Sequence, residues 1–467
     1  LTPARPQRQE NIVHEDFVPI APDASVEALL GAGALAGNAS QFAQPRGPDL
    51  VRRTAALESW CANRAAHGVW QYARALEGAP DPVAQVREEG ARGVRGLNFA
   101  SQDYLSLSSH PAVREAALRA LNEAGPHSAG SAVLLGNTRQ SLRLELALGE
   151  LLRLDQVTLF PTGWGAAFGA ITALLHARDH VVIDQLAHAS LRQGAAAATG
   201  NVHVHRHLDT DHVRELLAAI RARDQDNGIL VVTEGLFSMD SDSPDLPLMQ
   251  HLCREYGATL LVDAAHDLGA LGPGGSGSIG AQGMLGKIDI VMGAFSKTFA
   301  SNGGFVASAA RGVKRQLQLF AGPHLFSNAL SPMQAGIVLE CLRIVASNEG
   351  AALRAQLLRN IEELRGTLSD AGMRCIGTPS AIVPVLIGSE SVSRLTGRLL
   401  AREGLFVNQV EYPGVPLGAA RLRLQVMAHH SVQQVRHGAR LISTCAGRAR
   451  EAIAASGAAR PGEVVRG

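Results

Sequence analysis

From residue 97 onward the chain repeatedly sets a short apolar run against a longer segment of helical spacing, and this alternation limits the folds open to it. The runs are "QVTLF", "HVVID", "GILVVTEG", "ATLLVDAA", "IDIVMGAF" and "GGFVAS". Strands joined through helices need crossover connections, so the pattern predicts an α/β fold whose mostly parallel sheet is covered on both faces. Ligands of such sheets collect at the carboxyl ends of the strands. Groups with chemistry follow most of the runs: Thr162-Gly163-Trp164, Asp184 with His188, Glu234 with Ser238, Asp263 with His266, and Ser296-Lys297. One crevice is expected to gather them.

The flanking regions read differently. Residues 1–48, rich in Ala, Pro, Gly and Asn, predict an irregular arm with at most one short helix, in "ASVEALLGAGALAG". In "VRRTAALESWCANRAAHGVWQYARALEG" the residues Leu57, Trp60, Cys61, Ala65, Val69 and Tyr72 recur at helical spacing. They predict an amphipathic helix packed on the main body or on a second subunit. After residue 340 come a long helix, "EGAALRAQLLRNIEELRGTLSDAG", the strand "SAIVPVLIG", the alternating strand "RLRLQVMA" and a closing helix with Ser431 as N-cap. The expected organisation is an N-terminal arm and helix (1–95), a large domain (96–340), a smaller C-terminal α+β domain (341–450) and a tail (451–467).

Composition excludes several classes of function. Lys plus Arg number 43 against 42 for Asp plus Glu, and a net charge of +1 exerts no broad pull on nucleic acid or anionic lipid. The five cysteines are scattered without a CxxC pair, which argues against a zinc site or a disulfide framework and suits a reducing cytoplasm. No uninterrupted apolar run approaches the ~20 residues that span a bilayer, and "LTPARPQRQE" lacks the apolar core of a signal peptide. A soluble, cytoplasmic enzyme with no metal and no transmembrane segment is the expectation.

The stretch "GAFSKTFASNGGF" presents Lys297 among small neutral residues with no acid in the run to pair with it. Lys297 and Asp263 lie 34 positions apart, each at a strand end. Together they suggest a lysine Schiff base opposed by a carboxylate. A pyridoxal 5'-phosphate ring needs both: an amine to form the imine and an acid anion to keep the ring nitrogen protonated. His266, three residues after Asp263, is spaced to reach the phenolic oxygen side of that ring, and His188 in "DQLAHAS" to stack on it. "FPTGWGAAFGAITALL" offers the backbone N–H groups of Gly163, Trp164 and Gly165 to a phosphate. Taken singly, an Asp at a strand end more often caps a turn and an isolated His is more often structural. The combination points to chemistry.

In order and spacing, "TEGLFSMDSD", "LLVDAAHDLGALGPGGSG", "GAFSKTFASNGGF" and "RLRLQVMAHH" resemble the α-oxoamine synthases, fold-type I enzymes that use pyridoxal phosphate. The likeness covers residues 97–445 and is greatest to the bacterial serine palmitoyltransferase branch. The resemblance implies that Lys297 forms the Schiff base, Asp263 pairs with the pyridine nitrogen, His266 approaches the ring oxygen and His188 stacks on the ring. It places Ser238 and Ser296 beside the cofactor, Arg423 on the amino-acid carboxylate, and Asp103 of "SQDYLSL" toward the substrate. It further implies a homodimer with a shared active site, in which Ser327 and Asn328 of "HLFSNALSP" reach a neighbour's phosphate. The implied reaction condenses a small amino acid, serine favoured, with an acyl-CoA and releases CO2 and CoA. Glycine, alanine, an acyl carrier protein thioester or an aminotransferase of the same fold are the alternatives, and sphingolipid or secondary-metabolite synthesis the implied setting. The chain departs from the family at Ala294, usually Thr, at Asp103, usually Asn, at Ala132, often Arg, and at Ser141, often His.

Overall fold

The structure, a computed structural model, describes residues 25–87 and 93–456. The expected arm before residue 25 and the tail beyond residue 456 lie outside the described residues. Two sheets organise the rest. The larger contains β4 (Gln156–Phe160), β5 (His180–Asp184), β6 (Asn201–His205), β7 (Ile229–Glu234), β8 (Thr259–Asp263), β9 (Ile290–Ala294) and β10 (Gly304–Ser308) in the order β4-β10-β9-β8-β7-β5-β6. It is parallel except for β10, which runs antiparallel to both β4 and β9. Each apolar run quoted above is one of these strands. Every residue of β7 and β9 is buried, as expected of central strands covered on both faces. β6, "NVHVH", was not anticipated: as the sheet's edge strand it is half-exposed and carries no continuous apolar run.

The smaller sheet corrects the expected organisation. It holds β1 (Ala75–Leu76), β2 (Val83–Arg87), β3 (Val94–Phe99), β11 (Ile382–Gly388), β12 (Leu405–Val410) and β13 (Ala420–Gln425), in the order β1-β2-β3-β12-β13-β11. Residues expected to be arm and helix therefore supply strands, and β3 pairs parallel with β12 from the far end of the sequence. β1 and β2 are short and half-polar, and no local pattern announces a partner so distant in the chain.

The N-terminal helix is also shorter than its periodicity suggests, spanning Ala55–Ala66. Gly68, at φ +65°, turns the chain out of it, and Trp70 folds back against Trp60 and Tyr72. Its buried residue is Arg64, whereas Leu57 is exposed. Arg64 reaches Glu411 at 3.5 Å, and Arg394 donates from Nε to the same carboxylate at 2.8 Å. Arg394 also donates to the carbonyls of Leu35 and Gly37, which fastens the segment after the first helix, Val26–Gly31, to the smaller sheet. Burial, with Arg394 nearby, pulls Arg64 down to about 10. Among the described residues Glu411 is thus the shared counter-charge for two buried guanidinium groups. Glu411→Ala is expected to cost about 3–5 kcal/mol of stability in denaturant unfolding, because it leaves both uncompensated. Among the described residues no helix is long and apolar enough to cross a membrane.

Candidate active site

The carboxyl ends of β4, β5, β7, β8 and β9 open toward one cavity of about 320 Å³. Lys297, Asp263, His266 and His188 line it, as do Gly163, Trp164, Ser238, Ser296 and Arg423. A second cavity of about 660 Å³ adjoins it, and Gln102, Ser296 and Lys297 border both. Lys297 therefore stands at the passage between them.

Local packing explains how each group is presented. β9 ends at Ala294, and the buried Phe295 and Phe299 anchor the following turn, where Phe295 N–H donates to Gly303 O at 2.9 Å. The start of helix Gly163–Leu174 lies directly against this turn. A methyl group on Gly304 would fall 2.7 Å from Gly163 Cα, so the close approach of backbone to backbone requires glycine. Thr162 caps that helix by accepting Gly165 N–H on Oγ1 at 2.9 Å. Gly165, expected to face an anion, is thereby occupied. The N–H groups of Gly163 and Trp164 have no acceptor among the described residues.

Burial sets the electrostatics. It holds the Lys297 amine below the usual lysine range, with Asp263 opposing and Arg423 reinforcing the shift. Asp263 is pushed up by burial, although Lys297 and the Ala265 N–H, at 2.9 Å from Oδ1, favour its charge. Glu234 sits beside it in register on the neighbouring strand, and burial together with the Asp263 charge raises Glu234 well above the carboxylate range. Glu234 accepts His188 N–H at 2.6 Å. His188 and His266 are both lowered by burial and by the Lys297 and Arg423 charges, so both rings are neutral near pH 7. His188 Nδ1 contacts Ser190 Oγ at 2.7 Å, and His266 Nδ1 contacts the Tyr104 hydroxyl at 2.9 Å. Arg423 is buried, and its Nε and Nη2 have no partner among the described residues.

Some expected residues are placed elsewhere. Both carboxylate oxygens of Asp103 accept backbone N–H groups, from Leu107 at 2.9 Å and Ser108 at 3.0 Å, and burial pushes its pKa to about 6. Asp103 borders the outer cavity, which Lys297 also borders, with its carboxylate engaged by these two turn amides. Ser327 and Asn328 line neither cavity. Ser141 belongs to the capping box of helix Arg139–Leu152. Asp184 lies outside the cavity, bound to His207. Sequence reading placed Glu234 in the expected crevice without a specific role and did not single out Gln102 or Tyr104. For Tyr104 the available signal was general: a buried phenol seeks a hydrogen-bond partner.

The string "TEGLFSMDSD" makes structural sense as a folded loop. Phe237 N–H donates to Asp242 O and Ser241 N–H to Phe237 O, both at 2.9 Å, while Ser243 Oγ donates to Gly235 O at 2.6 Å. Asp242 meets His207 Nε2 at 3.1 Å, and His207 Nδ1 meets Asp184 at 2.9 Å. Burial opposes a charge on His207, but these two carboxylates outweigh it and push the imidazole up to about 10. A raised histidine contributes its stabilisation in full below the unfolded pKa, near 6.5, and loses it as pH climbs toward 10. Between these values the melting temperature of the wild type is expected to fall more steeply than that of His207→Gln.

The aminotransferase class I and II family matches residues 94–442. The serine palmitoyltransferase of Sphingobacterium spiritivorum is 33% identical over 368 residues, covering 79% of this chain and 90% of that protein. An 8-amino-7-oxononanoate synthase of Nitrosococcus oceani is 34% identical over 374 residues, covering 80% and 96%. Among solved structures, Sphingomonas wittichii serine palmitoyltransferase superposes with a TM-score of 0.80 at 27% identity, over 86% of this chain and 99% of its own. A serine palmitoyltransferase solved with its pyridoxal phosphate bound superposes with a TM-score of 0.80 at 28% identity, over 87% of this chain and all of its own. With its two sheets and the lysine-bearing cavity at the strand ends, the chain belongs to the aminotransferase class I and II family, as a pyridoxal-phosphate-dependent, fold-type I enzyme of the α-oxoamine synthase group.

Proposed function

We propose that the protein condenses a small amino acid, serine foremost, with an acyl-coenzyme A, releasing carbon dioxide and coenzyme A and giving an α-amino ketone. The observation that carries this reading is Arg423, whose orphaned guanidinium donors belong to the cavity shared by Lys297 and Asp263. Buried donors left unpaired are costly, and a planar guanidinium matches a carboxylate held by two parallel hydrogen bonds.

The donor set suits pyridoxal phosphate. The Gly163 and Trp164 N–H groups at the start of a helix fit its phosphate, Asp263 its pyridine nitrogen, and Lys297 its aldehyde carbon. When bound, the cofactor supplies the electron sink that makes charge at the amino acid's Cα tolerable. Lys297, its basicity lowered by burial, takes the Cα proton and later returns one. Arg423 holds the carboxylate until it leaves as carbon dioxide. His188, fixed by Glu234 and Ser190, would stack on the ring. His266, its Nδ1 committed to Tyr104, would keep Nε2 for the ring oxygen and the incoming acyl carbonyl. Ser238 and Ser296 line the same cavity and would border the cofactor.

Two copies are proposed to complete the site. Ser327 and Asn328 lie outside their own cavity and are assigned to the partner's phosphate. Leu134, Leu135 and Phe326 are each at least 80% exposed, and the Ser131 hydroxyl, donating to His324 O, ties the two loops that carry them together. Such a patch calls for cover. Free cysteines and a coenzyme A substrate both fit the cytoplasm.

A second reading keeps the chemistry and changes the substrates, to glycine or alanine and to a carrier-protein thioester. The 8-amino-7-oxononanoate synthases, as similar as the serine palmitoyltransferase, favour it. The deciding assay supplies holoenzyme with serine, glycine or alanine and either thioester, and follows free thiol and CO2. Thiol release with serine and an acyl-CoA supports the first reading, and release with another pair replaces it. Transfer of the amino group to a keto acid, with no thiol released, would identify an aminotransferase.

A further inference from the structure

"TEGLFSMDSD" extends beyond what the cofactor cavity uses, since of its residues only Glu234, Ser238 and Met239 line that cavity. The residues that follow grip the smaller sheet. Arg421 Nη1 donates to Met239 O at 3.1 Å and to the Asp240 carboxylate, and the Arg421 side chain is buried. Ser241, in the left-handed region at φ +60°, donates from Oγ to Thr378 O at 3.0 Å and lies 2.8 Å from Ser380 Oγ. Thr378 answers with its N–H and its hydroxyl, both to Ser241 O, at 2.7 and 3.0 Å. A methyl group on Gly377 would lie 1.9 Å from Asp240 O, so the two segments meet backbone to backbone.

Arg421 and Arg423 stand two residues apart on β13 and leave the same face of the strand. One grips Met239 and Asp240, while the other lines the cavity that Met239 also lines. Two donors of the Arg423 guanidinium have no partner within the chain among the described residues. The guanidinium also meets the Tyr104 hydroxyl, so its position is set by that contact and by where β13 is held.

We propose that Arg421 and Asp240 form a positioning pair that locks β13 against the Met239–Asp240 segment and so sets Arg423 at the correct distance from Lys297 for the amino-acid carboxylate. The inference rests on the carboxylate-binding reading of Arg423. The main residues assigned to the cofactor, Lys297, Asp263 and the start of helix Gly163–Leu174, lie away from the pair, so its effect is expected on amino-acid recognition rather than on cofactor affinity. Misplacement of a binding group by about 1 Å costs on the order of 100-fold.

The test uses holoenzyme carrying Arg421→Met, Asp240→Asn or both, with amino-acid KM, kcat, cofactor affinity and melting temperature measured on each. Each single variant is expected to raise the amino-acid KM about 10- to 100-fold, with kcat less affected and cofactor affinity unchanged. The double variant should be no worse than the more impaired single one, because the two residues act through each other. Asp240→Glu, which retains the charge, should recover part of the loss. Should Arg421→Met fail to fold, Asp240→Asn carries the test, since it removes the charge and keeps a carbonyl acceptor. A lowered melting temperature with unchanged KM overturns the proposal and leaves only a structural clasp. Additive effects in the double variant overturn it as well. Arg423→Lys separates the two readings: a raised KM there with unaffected latch variants defeats the latch alone, whereas an unaltered KM there defeats the carboxylate assignment on which the latch depends.

Discussion

Lys297→Ala is expected to lower kcat/KM about 10,000-fold or more, the joint loss of a covalent anchor and a proton-transfer group. Among the described residues no other lysine lines the cavity to replace the covalent anchor. His188 Nδ1 is engaged by Ser190 and His266 Nδ1 by Tyr104, and Asp263 is assigned to the pyridine nitrogen. Glu234 stands in the same cavity, where burial and the Asp263 charge raise its pKa and its carboxylate accepts the His188 N–H. Two measurements check this. Steady-state assays report the rate, and borohydride reduction followed by peptide mass analysis reports covalent pyridoxyl label, expected at Lys297 in the wild type and absent from the variant. Normal turnover by Lys297→Ala would falsify the site as described.

The second large effect is expected at Arg423. Truncating one partner of a buried, hydrogen-bonded charge pair costs about 2–5 kcal/mol, which corresponds to a loss of roughly 30- to 4,000-fold. For Arg423→Ala the loss should appear mainly in the amino-acid KM, because the carboxylate is held from binding until decarboxylation. Arg423→Gln keeps donors without the charge and should fall between. Cofactor affinity is the internal control: Arg423 is assigned no contact with the phosphate or the pyridine nitrogen, so it should be unchanged. A fall in kcat with unaltered KM would instead place Arg423 in the chemical step.

The main architecture and the reactive centre were readable along the chain. The six quoted runs are buried strands, and the groups following them converge because a parallel sheet points all its carboxyl ends one way. Lys297, Asp263, His188 and His266 line one cavity for that reason. Arg423 was legible from parity, alternating with Leu422 and Leu424 on a strand whose other face is core.

Where reading along the chain went astray, a partner remote in sequence had decided the outcome. β3 pairs with β12 some 300 positions later, and two to six residues of mixed polarity carry no trace of that contact. The helix before residue 67 buries an arginine because Glu411 lies opposite, a choice that periodicity of apolar residues does not encode. Nor does the sequence show that the Asp103 carboxylate accepts two backbone amides.

By itself, the sequence determined the local terms: which runs are apolar enough to become strands, which residue follows each strand end, and where a lysine lacks a nearby acid. Only the tertiary structure decided which of those residues share a cavity, which are already satisfied by backbone, and how Arg421 and Asp240 join the two sheets. The physical reason is that period and propensity are summed over neighbours in the chain. Burial, pKa shifts and hydrogen-bond satisfaction depend on neighbours in space, which come into being only when the chain has folded.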